Sequence, residues 1–164
     1  MKIQGKTFVY GDDVNTDVIF PGKYTYEPMT PEQMGEHALE DLDPDFVKKV
    51  EEGDVIVAGK NFGCGSSREQ AAIAIKAAGC RAVIAKSFAR IFYRNCLNSG
   101  LFAITNSEIQ EVVKSGDRVE IDLEAGKIYI NGRTLDFPPP SSEVFGILRA
   151  GGLIPYTRER LASK

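Results

Sequence analysis

Val55-Ile56-Val57-Ala58, the segment Asn61-Phe62-Gly63-Cys64-Gly65-Ser66-Ser67-Arg68-Glu69, the alanine-rich run Ala71 to Ala78, Gly79, and Ala82-Val83-Ile84-Ala85 follow one another in the chain. Two short apolar runs flank a stretch of strong helix formers that a glycine terminates, which predicts strand, helix, strand. A crossover of that length makes the two strands parallel and the connection right-handed.

Downstream the alternation repeats. Ser87 is placed to cap a helix over Phe88 to Ser99, Gly100 ends it, Leu101 to Ile104 reads as a strand, and a short helix falls near Ser107 to Lys114. Val119 to Leu123 and Lys127 to Ile130 then alternate as strands, and Asn131-Gly132 is a two-residue hairpin turn into Arg133 to Phe137. Pro138-Pro139-Pro140 closes that hairpin, and Glu143 to Ala150 reads as a last helix, stopped by Gly151-Gly152.

Upstream, Lys6 to Tyr10 is a short strand, and Gly11-Asp12-Asp13 with Asn15-Thr16-Asp17 favour turns, so Thr16 and Asp17 are expected on a loop. After Pro21-Gly22 and an irregular stretch, Thr30-Pro31-Glu32-Gln33 carries the capping threonine, first-turn proline and reciprocal glutamine of a helix start, with the helix expected to reach about Leu42. The fold class is α/β, with a mixed sheet and a C-terminal antiparallel hairpin, in a single domain over residues 1–164.

Composition suits one compact domain: 164 residues with 43% hydrophobic. A net charge of -3 and a pI near 5.3 provide no basic stripe for a phosphate backbone, so nucleic acid is not an expected partner. Met1 to Tyr10 lacks a charged-then-apolar leader, and no run approaches the ~20 apolar residues of a membrane span. A soluble, cytoplasmic protein is expected. Cys64, Cys80 and Cys96 stand sixteen residues apart, whereas metal and cluster sites usually bring two cysteines within a few residues, so no metal or cluster is expected in this chain.

The segment from Gly63 to Arg68 carries the chemistry. It joins a strand end to a helix start, where unpaired amides and about half a positive charge favour a carboxylate, a phosphate or a developing oxyanion. Its glycines allow backbone to approach a ligand. Spacing alone favours a plainer role, in which Ser66 with Glu69, or Ser67 with Gln70, forms a capping box. Both registers fit, so one serine can cap while its neighbour faces a ligand. Arg68 is either a surface residue or, through its planar fork, a carboxylate receptor. A dinucleotide fingerprint fails for want of a third glycine, and Gly53 to Gly59 lacks the lysine and hydroxyl of a Walker loop. His37, the only histidine, falls in a carboxylate-rich predicted helix and reads as solvated surface.

Gly11 to Ile19, Gly63 to Glu69 and Ala85-Lys86-Ser87-Phe88-Ala89-Arg90-Ile91-Phe92, in that order, resemble the aconitase superfamily. The resemblance covers about Lys6 to Leu123 and is to the swivelling β/β/α domain, which in isopropylmalate isomerases and archaeal-type homoaconitases is a separate small subunit. It implies a hydro-lyase active only with a large subunit, as a heterodimer or heterotetramer. That large subunit carries a four-iron, four-sulfur cluster binding the substrate's carboxylate and hydroxyl. It further implies that Ser66 removes the proton alpha to a carboxylate, Arg68 binds substrate carboxylate, Asp17 and Thr16 belong to the site, and Ser67 is a neighbouring hydrogen-bonding serine. Lys86, Ser87 and Arg90 read better as cap and support. Gln70 departs from the histidine of many relatives, and Cys64 stands where aconitases often have glutamate, as a loop-packing residue.

The resemblance leads to interconversion of 2-isopropylmalate and 3-isopropylmalate in leucine biosynthesis, with homoaconitase and dimethylmalate or citramalate dehydratases as rivals. From another class, an anion-binding module or a regulatory subunit without chemistry remains open. Gly22 to Met29 is the expected substrate-specificity loop. It has no arginine, Lys23 is its one basic residue, and Tyr24, Tyr26, Pro28 and Met29 suit an apolar wall for a branched alkyl group. The plainer alternative packs these side chains on the chain itself.

Overall fold

A computed structural model describes residues 1–163. The elements in chain order are β1 (Lys2–Val9), α1 (Thr16–Ile19), a 3-10 turn (Gly22–Tyr24), α2 (Pro31–Gly35), α3 (Phe46–Lys49), β2 (Val55–Ala58) and α4 (Glu69–Ala78). There follow β3 (Ala82–Ala85), α5 (Arg90–Ser99), β4 (Phe102–Thr105), α6 (Ile109–Val112), β5 (Arg118–Asp122), β6 (Lys127–Ile130), β7 (Arg133–Asp136), α7 (Ser142–Ala150) and α8 (Leu153–Ala162).

The seven strands form one sheet in the order β4-β3-β2-β1-β5-β6-β7. β1 is shared between its two halves: Thr7 to Val9 pair parallel with β2, while Lys2 to Lys6 pair antiparallel with β5. β2, β3 and β4 continue the parallel half, and β5, β6 and β7 form the antiparallel one. The sheet is therefore mixed, with the C-terminal hairpin turning at Asn131-Gly132.

β2 and β3 read as unbroken apolar runs because both of their faces are buried. Ile56, Ala58, Val83 and Ala85 join a core with Ala71 and Ile75 of α4, Phe92 and Cys96 of α5, and Phe46 of α3. Val55, Val57, Ala82 and Ile84 face the opposite way, onto Ile121, Ile128 and Leu135 of the antiparallel strands, Ile109 of α6 and Leu148 of α7. The far ends of the sheet also communicate, since the Asn106 side-chain amide after β4 donates to the Asp136 carbonyl of β7 at 2.8 Å.

Several sequence expectations need correction. The capping box of α2 is present, with the Thr30 hydroxyl accepting from the Gln33 amide and the Gln33 side chain accepting from the Thr30 amide. The helix nevertheless ends at Gly35 and does not reach Leu42. Leu39 adopts a positive φ of 57° and gives its amide to the Ile19 carbonyl, which takes the segment out of helical geometry while burying the Leu39 side chain.

α5 starts at Arg90, after Ala89, and not at Phe88. Ser87 does not cap it: its hydroxyl accepts from the Asn61 amide at 2.8 Å, and residues 87 to 89 run extended beside Phe62. Thr16 and Asp17 sit in one helical turn, α1, which Asn15 caps by accepting from the Val18 amide, so they are not on a loop. α8 follows α7 directly across Gly151-Gly152, beyond the expected end of helix. Its Pro155 falls in the first turn, where a missing N–H is harmless. Among the described residues no helix is long and apolar enough to cross a membrane.

Candidate functional site

The segment from Asn61 to Ser66 runs between two others, and backbone hydrogen bonds fix it on both sides. On one side the Gly63 amide donates to the Val14 carbonyl (2.7 Å) and the Thr16 amide to the Cys64 carbonyl (2.9 Å). On the other, the Phe62 amide donates to Ser87 (3.0 Å) and the Ala89 amide to Phe62 (2.9 Å). The three stretches that stand far apart in sequence thereby meet in space. Gly63 is required where the segment crosses α5: its φ is +83°, and a Cβ there would lie 2.6 Å from Phe92 Cδ1 and nearer still to Phe92 Cβ and Cγ.

The buried Thr16 hydroxyl donates to the Ser66 carbonyl at 2.7 Å and ties the segment to α1 just before α4 starts. In consequence the N-cap of α4 is Arg68, with no side-chain cap, and neither capping box exists. Ser66 and Ser67 are both exposed, and neither hydroxyl is tied to the first turn. The plainer reading of the serines is thus overturned: both remain available beside the open amides of a helix start.

Arg68 is clamped. Nη2 lies 2.6 Å from Asp17 Oδ1, and Nη1 donates to the Thr25 hydroxyl (3.2 Å) and the Phe20 carbonyl (3.4 Å). The Arg68 side chain is largely covered, 16% exposed against 61% for that of Asp17. Gly22 makes room for it, since a Cβ there would lie 3.0 Å from both terminal nitrogens. Among the described residues, Nε–H and one Nη2–H have no partner.

Thr16, Ser66, Ser67, Arg68, Arg90 and Asn95 line a cleft of about 180 Å³. The predicted site residues Thr16, Ser66, Ser67 and Arg68 are brought together, with Asp17 joined through Arg68. Arg90 and Asn95 of α5, and Thr25 beneath Arg68, were not among the sequence candidates. Arg90 carried a signal as part of the third motif and Thr25 only through its place in the expected specificity loop, whereas Asn95 carried none.

The stretch from Gly22 to Met29 is arranged differently. Tyr24 stacks on His37 with ring centroids 4.1 Å apart, packs against Phe20, and donates its hydroxyl to Glu40. Lys23 pairs with Glu40 at 3.6 Å, and Met29 packs against the core. Tyr26 stands free, 96% exposed, followed by exposed Glu27 and Pro28. None of these side chains lines the cleft. His37 is not plain solvated surface, because it is stacked and hydrogen bonded to Glu40 at 2.9 Å. Burial pushes the Glu40 carboxyl up, but hydrogen bonds from His37 and Tyr24 outweigh it and hold the group below its ordinary value.

All three cysteines are free: Cys80 and Cys96 are buried, and burial pushes both thiols up, while Cys64 is part-exposed. Among the described residues no group of three or more His, Cys, Asp or Glu side chains is arranged to hold a metal ion.

The chain matches the model of the aconitase C-terminal domain over residues 14–109. It is 49% identical over 156 residues to the 3-isopropylmalate dehydratase small subunit of Halothermothrix orenii, covering 94% of each chain. It is 51% identical over 162 residues to the methanogen homoaconitase small subunit of Methanocaldococcus jannaschii, covering 98% of this chain and 94% of the other. A crystal structure of 3-isopropylmalate dehydratase from Methanocaldococcus jannaschii superposes with a TM-score of 0.92 at 50% identity, covering 99% of this chain and 96% of that one. With the family match, the relatives and the fold all in agreement, the chain belongs to the aconitase C-terminal domain family, in its branch of dehydratase small subunits.

Proposed function

We propose that this chain is the small subunit of a 3-isopropylmalate dehydratase, a hydro-lyase that interconverts 2-isopropylmalate and 3-isopropylmalate in the cytoplasm during leucine biosynthesis. The observation that carries the reading is the cleft: two uncapped, exposed serines beside a clamped arginine, in a chain about half identical to such subunits over nearly its whole length. On this reading residues 1–164 act as one swivelling unit that closes over a large subunit. That partner would carry an iron–sulfur cluster, which would supply Lewis-acid chemistry toward the substrate hydroxyl.

The residues of this chain then have distinct tasks. Ser66 accepts the proton alpha to a carboxylate. A serine is a poor base at its ordinary pKa and needs positive surroundings, to which the open amides of α4 contribute. Arg68 offers its two free N–H groups to a substrate carboxylate, while Asp17, Thr25 and the Phe20 carbonyl fix its orientation. Ser67 and Thr16 complete the wall. In the specificity stretch, Tyr26 is the side chain free to meet the alkyl substituent, while Lys23, Tyr24 and Met29 hold the stretch against the chain.

A second reading, homoaconitase, is favoured by the 51% identity to the methanogen subunit. Against it, residues 18 to 67 contain no arginine to receive a third carboxylate. The test is reconstitution with the large subunit encoded by the same organism, with kcat/KM measured for isopropylmalate and homoaconitate. A preference for isopropylmalate is expected. Preference for homoaconitate overturns the substrate, and no turnover on any malate overturns the enzyme reading.

A further inference from the structure

The clamp on Arg68 has an electrostatic consequence. Its positive charge is opposed by the Asp17 carboxylate at 2.6 Å, so the pair adds little net charge to the cleft. A malate-type substrate brings two carboxylates. Of the neighbouring cations, Lys86 is bound to Glu111 at 3.4 Å, and Arg94 does not line the cleft but only the adjoining hollow, which Arg90 also borders with Ser87, Tyr93 and Thr105. Arg90 lines the same cleft as Ser66, Ser67 and Arg68, and among the described residues it makes no ion pair and no side-chain hydrogen bond. It is also exposed, so its fork can swing over the cleft without breaking a contact in the fold.

We propose that Arg90 is a second substrate-binding arginine of this cleft, receiving the carboxylate that Arg68 does not hold. The assignment rests on the proposed dehydratase function and deepens it. Arg68 is the fixed receptor, oriented by Asp17 and Thr25, and Arg90 is the mobile one, supplying the net positive charge that a dianion requires. The support role that the sequence suggests for Arg90 is not observed, because it bonds to nothing within the described chain.

The experiment compares wild type, Arg90→Gln and Arg90→Lys chains, each reconstituted with the large subunit. Assembly is followed by size exclusion, and KM and kcat by turnover of isopropylmalate. Two inhibitors serve as probes: 2-isopropylsuccinate, a dicarboxylate, and 2-hydroxy-4-methylpentanoate, which retains one carboxylate. Loss of a charge-assisted pair predicts that Arg90→Gln raises KM and the inhibition constant of the dicarboxylate by about ten- to hundredfold. The change in kcat is to be smaller, the monocarboxylate is to bind as before, and Arg90→Lys is to fall between. Unchanged KM and dicarboxylate inhibition overturn the assignment, as does an equal loss for both inhibitors. Failure of Arg90→Gln and Arg90→Lys to assemble also overturns it, by placing the residue in the subunit interface. An inactive wild-type pair overturns the proposed function together with this inference, whereas an active pair with indifferent variants overturns the inference alone.

Discussion

Gly63→Ala is expected to destabilise the chain severely, and Gly65→Ala only mildly, although both glycines lie in the same segment with positive φ. The φ values are +83° and +93°, so the backbone contribution is similar in each, roughly 1–2 kcal/mol for a non-glycine residue in the left-handed region. The surroundings differ. At Gly65 the nearest atom to an added Cβ is Asn15 Cβ at 3.5 Å, an ordinary contact. At Gly63 the added carbon falls inside the volume of Phe92, which is buried and packed edge-on against Phe62 at 5.3 Å. Overpacking of this kind typically adds about 1–3 kcal/mol, so Gly63→Ala should cost about 2–5 kcal/mol in all. That is a large part of the ~5–15 kcal/mol that holds a domain together. Urea denaturation followed by circular dichroism measures both variants, with an unchanged slope confirming that stability alone has moved. Equal midpoints for the two variants would refute the packing argument and leave backbone strain as the whole effect.

Ser66→Ala should lower kcat of the reconstituted pair by about 10²–10⁴ while leaving stability within about 0.5 kcal/mol, because the hydroxyl is exposed and caps nothing; near-normal turnover would remove it as the base. Ser67→Ala should matter less. Alkylation of the native chain at neutral pH should modify Cys64 and spare Cys80 and Cys96, whose burial and raised pKa withhold the thiolate, and mass spectrometry of the peptides would expose the error if either buried thiol reacted at the rate of Cys64. Glu40 has a folded pKa below its ordinary 4.5, so its stabilising contribution is present above that pH and is lost as pH falls through the lowered folded value. Glu40→Gln should therefore lower the unfolding free energy at neutral pH, by less than about 1 kcal/mol for this part-exposed group, with the gap closing in acid; a gap that widened on acidification would reverse the sign of the reasoning.

β2, β3 and β6 were legible in the sequence end for end, the first two as wholly buried apolar runs and β6 by alternation beside an Asn-Gly turn. The extent of α2 was not, because Leu39 leaves the helix for a long-range bond to Ile19 that no local pattern announces. α8 buries no residue and so presents no apolar face to detect. At the site, the cluster of Ser66, Ser67 and Arg68 was legible as a motif, yet the local pattern favoured capping boxes that do not form. What prevents them is Thr16, fifty residues away, gripping the Ser66 carbonyl. Thr25 and Asn95 escaped notice for the same reason: their proximity to the cleft is a product of tertiary folding, written in no short window.

The division of β1 between the parallel and antiparallel halves of the sheet constrains the order in which a nascent chain can acquire structure. Its C-terminal half finds β2 about fifty residues on, Thr7 meeting Val55, but its N-terminal half must wait for a partner about 120 residues away, Lys2 meeting Asp122. Pairings of such long sequence separation form slowly, since the intervening loop must be closed before any contact rewards it. Until the ribosome has released residue 122 and somewhat beyond, Lys2 to Lys6 present an open strand edge, of the sort that recruits a neighbouring chain. The alternation of Lys2, Gln4 and Lys6 along that edge places polar and charged side chains on one face of the waiting strand, which discourages such capture until synthesis supplies the proper mate.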